Sequence, residues 1–308
     1  MSEKSIVVAV DGSEHSHRAL EWALSAARGL GAPLLVAHVR PEALQLGAAR
    51  IESLGEAPAI PDTVLDGIRG WIQDRAEDLP VRYESLDGSV TGALLGVAGA
   101  ARLLAVGSRG RGGFTSLLLG STSRALANAA PCPVVVVPHE ARAGSLESDA
   151  AAGRVLVGLH VEETSDDVLA FAFEDARRRG VTLEVVTAYR LPPSPVMLVG
   201  PPAPALQVPP PMPVDEVPEL VRETARRQEG RLAPFVARYP DVEVSPTVVP
   251  ADAAGRLVDG SRDAGLVVVG RHHRLRVESL LLGSVAHAVL HHAHCPVAVV
   301  PTARPASR

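Results

Sequence analysis

The chain has 308 residues, of which 46% are apolar and 3% aromatic, and carries a net charge of −5. This length suits two domains of ordinary size. The composition is that of a globular protein whose cores come from Val, Leu and Ala, and the acidic balance argues against nucleic acid as a partner, since that binding draws on clustered Lys and Arg. No apolar run reaches the ~18 residues of a membrane helix. The apolar stretch after Ser5 stops at Asp11, too short for a signal peptide, so a cytoplasmic protein without membrane contact is expected.

Ile6 to Val10 is a β-branched run suited to a strand buried on both faces. Asp11-Gly12-Ser13 ends it, and Ala19, Ala23, Ala26 and Leu30 recur at helical spacing up to Gly31, a plausible stop. Strands are predicted at Leu34 to Val39, Val81 to Ser85 and Leu103 to Val106, and helices at Thr63 to Asp78 and Thr91 to Ala101. Glu42 to Pro61 reads as a loop or broken helix. The polar stretch Glu140 to Gly153 reads as a linker. Beyond it the pattern restarts: strand Val155 to Leu159, helix Asp166 to Arg179 stopped by Gly180, and strand Leu183 to Tyr189. The proline-rich stretch Leu191 to Pro218 excludes regular helix and reads as a surface excursion, with a partner-docking polyproline segment as the sharper alternative. Helices at Glu219 to Ala237 and Ala251 to Arg262 and strands at Val242 to Val249 and Leu266 to Val269 complete an alternation that argues a parallel α/β sheet.

The chain repeats itself. Leu117 to Pro138 and Leu280 to Pro301 align without gaps, with 13 of 22 positions identical. The organisation that follows is a first domain over 1–140, a linker over 141–153, a second domain over 154–302 and a tail over 303–308. Cys132 and Cys295 fall at equivalent repeat positions and read as small core residues beside a strand.

The candidate chemistry lies at Gly107-x2-Gly110-x9-Gly120-Ser121, between a strand and a helix. Glycines there permit close backbone approach and positive φ, and a helix start offers N–H groups and the positive end of its dipole to phosphate. In an open parallel sheet ligands sit at the carboxyl ends of strands where the strand order reverses, which brings Asp11, Val39 and Gly107 to one crevice. Asp11 suits a ribose hydroxyl and equally a helix cap, two roles that can coexist. Neither a Walker signature nor a Gly-x-Gly-x-x-Gly follows the first strand, which disfavours an ordinary P-loop or dinucleotide domain. His287 and His291, four apart, could share a metal, although a helix surface is the plainer expectation.

Ile6 to Ser13, Ala37-His38-Val39, Gly107-Ser108-Arg109-Gly110, and Gly120-Ser121 with Cys132-Pro133-Val134 together resemble the universal stress protein family, in two copies covering nearly the whole chain. The resemblance implies two Rossmann-like domains, each a five-stranded parallel sheet of order 3-2-1-4-5 with helices on both faces. It also implies pairing through the last strands, Val134–Val137 against Val297–Val300, as an intramolecular pseudo-dimer, with a homodimer of chains as a further possibility. For the ATP-binding branch it implies adenine nucleotide held by Asp11, Val39, Gly107, Gly110, Gly120 and Ser121, with Val106 and Thr122 as backbone neighbours and Mg2+ or Mn2+ carried on the phosphates. The second copy has His160 at the place of Asp11, His273 at that of Gly110 and Tyr189 at that of Val39. A histidine resists positive φ and fills space meant for phosphate, so the second site is expected to be degenerate.

Three functions are compatible with this reading. One is an ATP-dependent regulatory or stress-response protein with little or no hydrolysis and an unidentified protein partner. Another is a slow ATPase or α-phosphate-cleaving enzyme, and the third is a nucleotide-independent interaction protein. The first is favoured, because no general base or nucleophile is evident among the motif residues.

Overall fold

The computed structural model describes residues 4–40, 61–110, 118–139, 153–189, 217–250, 252–271 and 282–302. The first half runs β1 (Ile6–Ala9), α1 (Glu14–Leu30), β2 (Leu34–Val39), α2 (Thr63–Gln73), β3 (Val81–Leu86), α3 (Val90–Ala98), β4 (Leu103–Gly107), α4 (Ser121–Ala129) and β5 (Val134–Val137). The second runs β6 (Arg154–Gly158), α5 (Asp166–Arg179), β7 (Leu183–Tyr189), α6 (Val217–Arg238), β8 (Val244–Pro250), α7 (Ala253–Gly260), β9 (Ala264–Gly270), α8 (Ser284–His292) and β10 (Val297–Val300).

All ten strands form one sheet in the order β3-β2-β1-β4-β5-β10-β9-β6-β7-β8, so each half has the order 3-2-1-4-5. Within each half neighbouring strands are parallel; at the seam β5 and β10 are antiparallel, with Val135 opposite Ala298. The β-branched runs become strands because helices cover both faces. One face is closed by α1, α2, α5 and α6 through residues such as Leu20, Ile68, Leu169 and Leu232. The other is closed by α3, α4, α7 and α8 through Leu94, Leu126, Leu257 and Val289. The cores are mainly Val, Leu and Ala, but the second half adds a fully buried Phe173 with Phe235 and Tyr239 each 5.5 Å from its ring.

Helix ends follow local chemistry. Gly31 and Gly180 stop α1 and α5 in the left-handed conformation, at φ 59° and 65°. The helix predicted over Thr63 to Asp78 ends at Gln73, where tight turns from Ala76 to Ile72 and from Leu79 to Ala76 lead the chain into Pro80. The helices predicted over Thr91 to Ala101 and Ala251 to Arg262 are also shorter, starting after the caps Ser89 and Asp252. Helix α6 begins at Val217, so Pro218 belongs to its first turn, where a missing N–H breaks no hydrogen bond. Pro234 lies inside the same helix and cannot bond the Gly230 carbonyl. The segments read as a loop at 42–61, as a linker at 141–153, as a proline-rich excursion at 191–218 and as a tail at 303–308 lie wholly or mostly outside the described residues.

The seam carries a lock. The Arg271 guanidinium, just beyond β9, donates to the carbonyls of Asn128 and Ala130 at the end of α4, each at 2.8 Å. The Leu282 amide donates to Asn128 Oδ1 at 2.7 Å. A cation at a helix C-terminus meets both the last carbonyls and the negative end of the dipole. Burial pushes the Arg271 guanidinium below its ordinary pKa. The equivalent residue of the first half is Ser108: its amide bonds Val137 C=O as the Arg271 amide bonds Val300 C=O.

Candidate functional site

β1 and β4 are neighbours, and the connections leaving them run to opposite sides of the sheet, which opens a crevice at their carboxyl ends. At the end of β1 the chain makes a tight turn with Gly12 at φ 74°. Asp11 Oδ1 accepts from the Ser13 amide at 3.0 Å and from the Ser13 hydroxyl at 2.6 Å. The cap of α1 is therefore Ser13, whose oxygen accepts from the Ser16 amide, and Asp11 braces that cap without being it.

Gly107 ends β4 against α1: a Cβ there would stand 2.6 Å from the His15 carbonyl oxygen. A Cβ on Gly110 would stand 2.6 Å from Asp11 Oδ2. Neither these two nor Gly120 has positive φ, which corrects the expectation for Gly110 and for a histidine at its place. The demand on Gly110 comes from the approach of the aspartate, whose carboxylate a Cβ would displace, and not from a left-handed backbone.

Gly120 caps α4 with extended backbone (φ −72°, ψ 154°) and no side-chain hydrogen bond. Its own amide donates to Ser108 C=O at 2.7 Å. The α4 ladder starts with the Arg124 amide on Gly120 C=O, so the amides of Ser121, Thr122 and Ser123 precede it. The buried Ser123 hydroxyl donates to Gly107 C=O at 2.7 Å and fixes the helix start to the end of β4. Ser121 is exposed and Thr122 half-buried. Val106 is buried, and so is Val39, at the end of β2. Val39, Val106 and α4 share the core of one sheet face. The structure thus gathers Asp11, Gly107, Gly110 and Gly120 at one crevice, with Ser121 and Thr122 at its helical wall and Val106 and Val39 beneath it.

Three further residues stand here that the motifs did not single out. His15, in the first turn of α1, has its ring 4.6 Å from that of His139, which follows β5. Arg109 lies between the two loop glycines, its Cα 3.5 Å from where a Cβ on Gly120 would stand. Burial pushes the His15 imidazole below its ordinary pKa of 6.5, and His139 and Arg109 push the same way against Glu14 and Asp11. The sheet order is the one sequence signal for this grouping, since it sets the ends of β1, β4 and β5 side by side.

Beside Val39, His38 points to the opposite sheet face and bonds Asp62 through Nδ1, at 2.9 and 2.8 Å from its two oxygens. Asp62 also accepts from the Ser85 hydroxyl at 2.7 Å and caps α2 through the Leu65 amide at 3.1 Å. Burial would raise the Asp62 carboxyl, but these partners outweigh it and hold the pKa below 3.8.

The second half keeps the scaffold and changes the site. The His160 ring is exposed and accepts from the Glu163 amide. The loop is longer: the cap Ser165 comes five residues after His160, whereas Ser13 comes two after Asp11. Tyr189 ends β7, Gly283 caps α8 as Gly120 caps α4, and His273 lies outside the described residues. The rings of His287 and His291 are 4.4 Å apart, but among the described residues no three His, Cys, Asp or Glu side chains are grouped as metal ligands. Cys132 and Cys295 are buried free thiols, pushed up by burial to about 11 and about 12. Among the described residues no helix is long and apolar enough to cross a membrane.

Two Rossmann-like halves sharing one sheet, each with a glycine ending its fourth strand and another capping the helix that follows, define a tandem α/β-domain protein. The chain belongs to the universal stress protein family, whose profile matches residues 3–138 and 152–301. It is 32% identical over 315 residues to Universal stress protein Rv2005c of Mycobacterium tuberculosis, covering 96% of this chain and 97% of that one. Its fold is similar to that of the functionally unknown protein PA1789 from Pseudomonas aeruginosa PAO1 (TM-score 0.65, 16% identity, 97% and 93% of the two chains). It is also similar to that of a universal stress protein from Archaeoglobus fulgidus (TM-score 0.63, 19% identity, 98% and 99%).

Proposed function

We propose that the first half binds ATP or another adenine nucleotide and that the protein acts as a nucleotide-dependent regulator in the stress response, with little or no hydrolysis. The observation that carries this reading is the cradle between Asp11 and the start of α4. Gly110 leaves room for a ligand beside Asp11 where any side chain would intrude. Opposite it, α4 opens without a side-chain cap, so its first amides suit phosphate oxygens. Asp11, braced through Ser13, would take the ribose or adenine side, and the backbone at Val39 the base edge. A divalent cation would travel on the phosphates. Bound polyphosphate supplies the charge that such a regulator reads, while this chain's own groups bind and orient it.

The second half retains a helix start but has no carboxylate at the end of β6 and presents His160 there, so a single working site per chain follows. Calorimetric titration with ATP and magnesium tests this on the unaltered protein and on Gly110→His, which copies the second half into the first. One site per chain, lost in the variant, supports the reading. Two equal sites, or none, rejects it. Phosphate release measured alongside should stay far below the 1–10³ s⁻¹ range of ordinary enzymes.

A further inference from the structure

We propose that His15, Arg109 and His139 form a cationic corner of this nucleotide site that selects polyphosphate nucleotides over monophosphates and takes up a proton on His15 in doing so. The inference rests on the nucleotide reading above and narrows its ligand class.

The corner is built into the cradle. His15 is the residue that Gly107 packs against, and the Arg109 backbone stands at the entrance to α4. The Arg109 charge is felt at His15, and the His139 ring packs on it at 4.6 Å with a 59° tilt. Three separate elements therefore converge: the first turn of α1, the loop after β4 and the residues after β5. Asp11 and Glu14 are the carboxylates facing His15, one from the β1–α1 turn and one from its own helix. Arg18, one turn further along α1, adds a buried cation. Helix α5 meets α1 at the other end, where Arg178 packs on Gly29.

His15 Nδ1 is buried with no hydrogen-bond partner. A buried ring nitrogen without a partner is costly, and a ligand oxygen would supply one. Partly desolvated and set beside the His139 ring and the Arg109 guanidinium, the His15 ring favours its neutral form in the free protein. A bound polyanion reverses the sign of that field and raises the His15 pKa. Binding then takes up a proton, so affinity for a highly charged ligand rises as pH falls toward the free-protein pKa, below 6.5.

Among the described residues the second half lacks the two histidines. Two residues past its helix cap stands Asp167 in place of His15, and two residues past β10 stands Thr302 in place of His139. The pair of histidines is thus confined to the half that keeps Asp11 and Gly110.

The test is calorimetric titration of the full chain with ATP, ADP and AMP at pH 6, 7 and 8, repeated on His15→Gln and Arg109→Gln. The unaltered protein should bind ATP at least tenfold more tightly than AMP, and that ratio should grow severalfold from pH 8 to pH 6. One charge-assisted hydrogen bond is worth about a tenfold change or more. His15→Gln should therefore weaken ATP about tenfold, weaken AMP much less, and flatten the pH dependence of the ratio. Comparing with the variant cancels the ligand's own titration. Arg109→Gln, at a half-buried loop position, should lower the ratio without flattening it. Equal affinities for the three nucleotides, or a ratio unmoved by His15→Gln, overturns the inference and leaves the nucleotide site standing. If none of the three binds, both readings fall.

Discussion

Gly107 and Gly110 lie three residues apart in one loop, yet alanine at each should have a different consequence. At Gly107 the new methyl would sit 2.6 Å from His15 O, 2.8 Å from His15 C and 2.9 Å from His15 Cβ, where ordinary contact begins near 3.4 Å. The obstacle is mostly backbone. Helix α1 is held by Ala19, Leu20 and Ala23, all fully buried, so it cannot retreat the several tenths of an ångström required. Overpacking of this kind costs about 1–3 kcal/mol, and at roughly 2–4 °C per kcal/mol for a chain of this order the melting temperature should fall by about 2–12 °C. At Gly110 the obstacle is a single oxygen, Asp11 Oδ2 at 2.6 Å. That carboxylate can swing away, and because Asp11 and Ser13 are only half-buried, water can replace the bonds between them, leaving a net cost of about 1 kcal/mol. Gly110→Ala should therefore keep most of its stability and lose nucleotide affinity about tenfold or more. Scanning calorimetry and ATP titration on both variants would check this. The reasoning fails if Gly107→Ala melts with the unaltered protein, or if Gly110→Ala proves the less stable of the two.

Arg271→Met should destabilise the chain by about 2 kcal/mol, because two carbonyls at the end of α4 lose a charged donor while the burial of a cation is relieved. Urea unfolding should show a lower midpoint, with the transition of the first half affected as much as that of the second. Asp62→Asn should cost about 2 kcal/mol at pH 7 through weakened bonds to Ser85, His38 and the α2 cap. Because the folded pKa of Asp62 lies below its unfolded value, its stabilisation is present above about pH 4 and is lost as pH falls through the folded pKa. The acid limb of a stability–pH profile should accordingly be shallower in Asp62→Asn. Cys132 and Cys295, with pKa values near about 11 and about 12, should resist iodoacetamide at pH 8 in the folded protein and both react in urea, as read by mass spectrometry.

The sheet was legible because its inner strands are buried on both faces. Ile6 to Val10, Leu103 to Val106 and Val134 to Val137 are apolar throughout, which a half-exposed strand could not be. The repeat then set two copies of one topology side by side, and the last strands do pair. Helix ends were less legible, since α2 stops where tight turns form and α6 continues through Pro234 on tertiary support. Asp-Gly-Ser announced a helix start, but which of its oxygens caps the helix depended on the turn at Gly12. The role of Gly110 was legible as a need for glycine and misjudged in its cause, because the clash is with a residue 99 positions earlier. His15, Arg109 and His139 carry no spacing signature; they meet because three strand ends do. The same holds for Arg271, which looks like loop chemistry in the sequence and becomes a helix clamp across the seam.

Arg271 also bears on the history of such a chain. In a dimer of identical subunits every contact occurs twice, so a residue exchanged at the seam is exchanged on both sides of the axis. Here the two equivalent places hold a serine and an arginine, Ser108 and Arg271, and Asn128, whose carbonyl Arg271 bonds, has His291 as its equivalent. Once the two copies share one polypeptide, each can drift alone. One can trade ligand-facing groups for anchoring groups while the other retains its crevice, and neither change has to be tolerated in duplicate. Covalent fusion thus supplies more than proximity: it lets a former equal become a dedicated support.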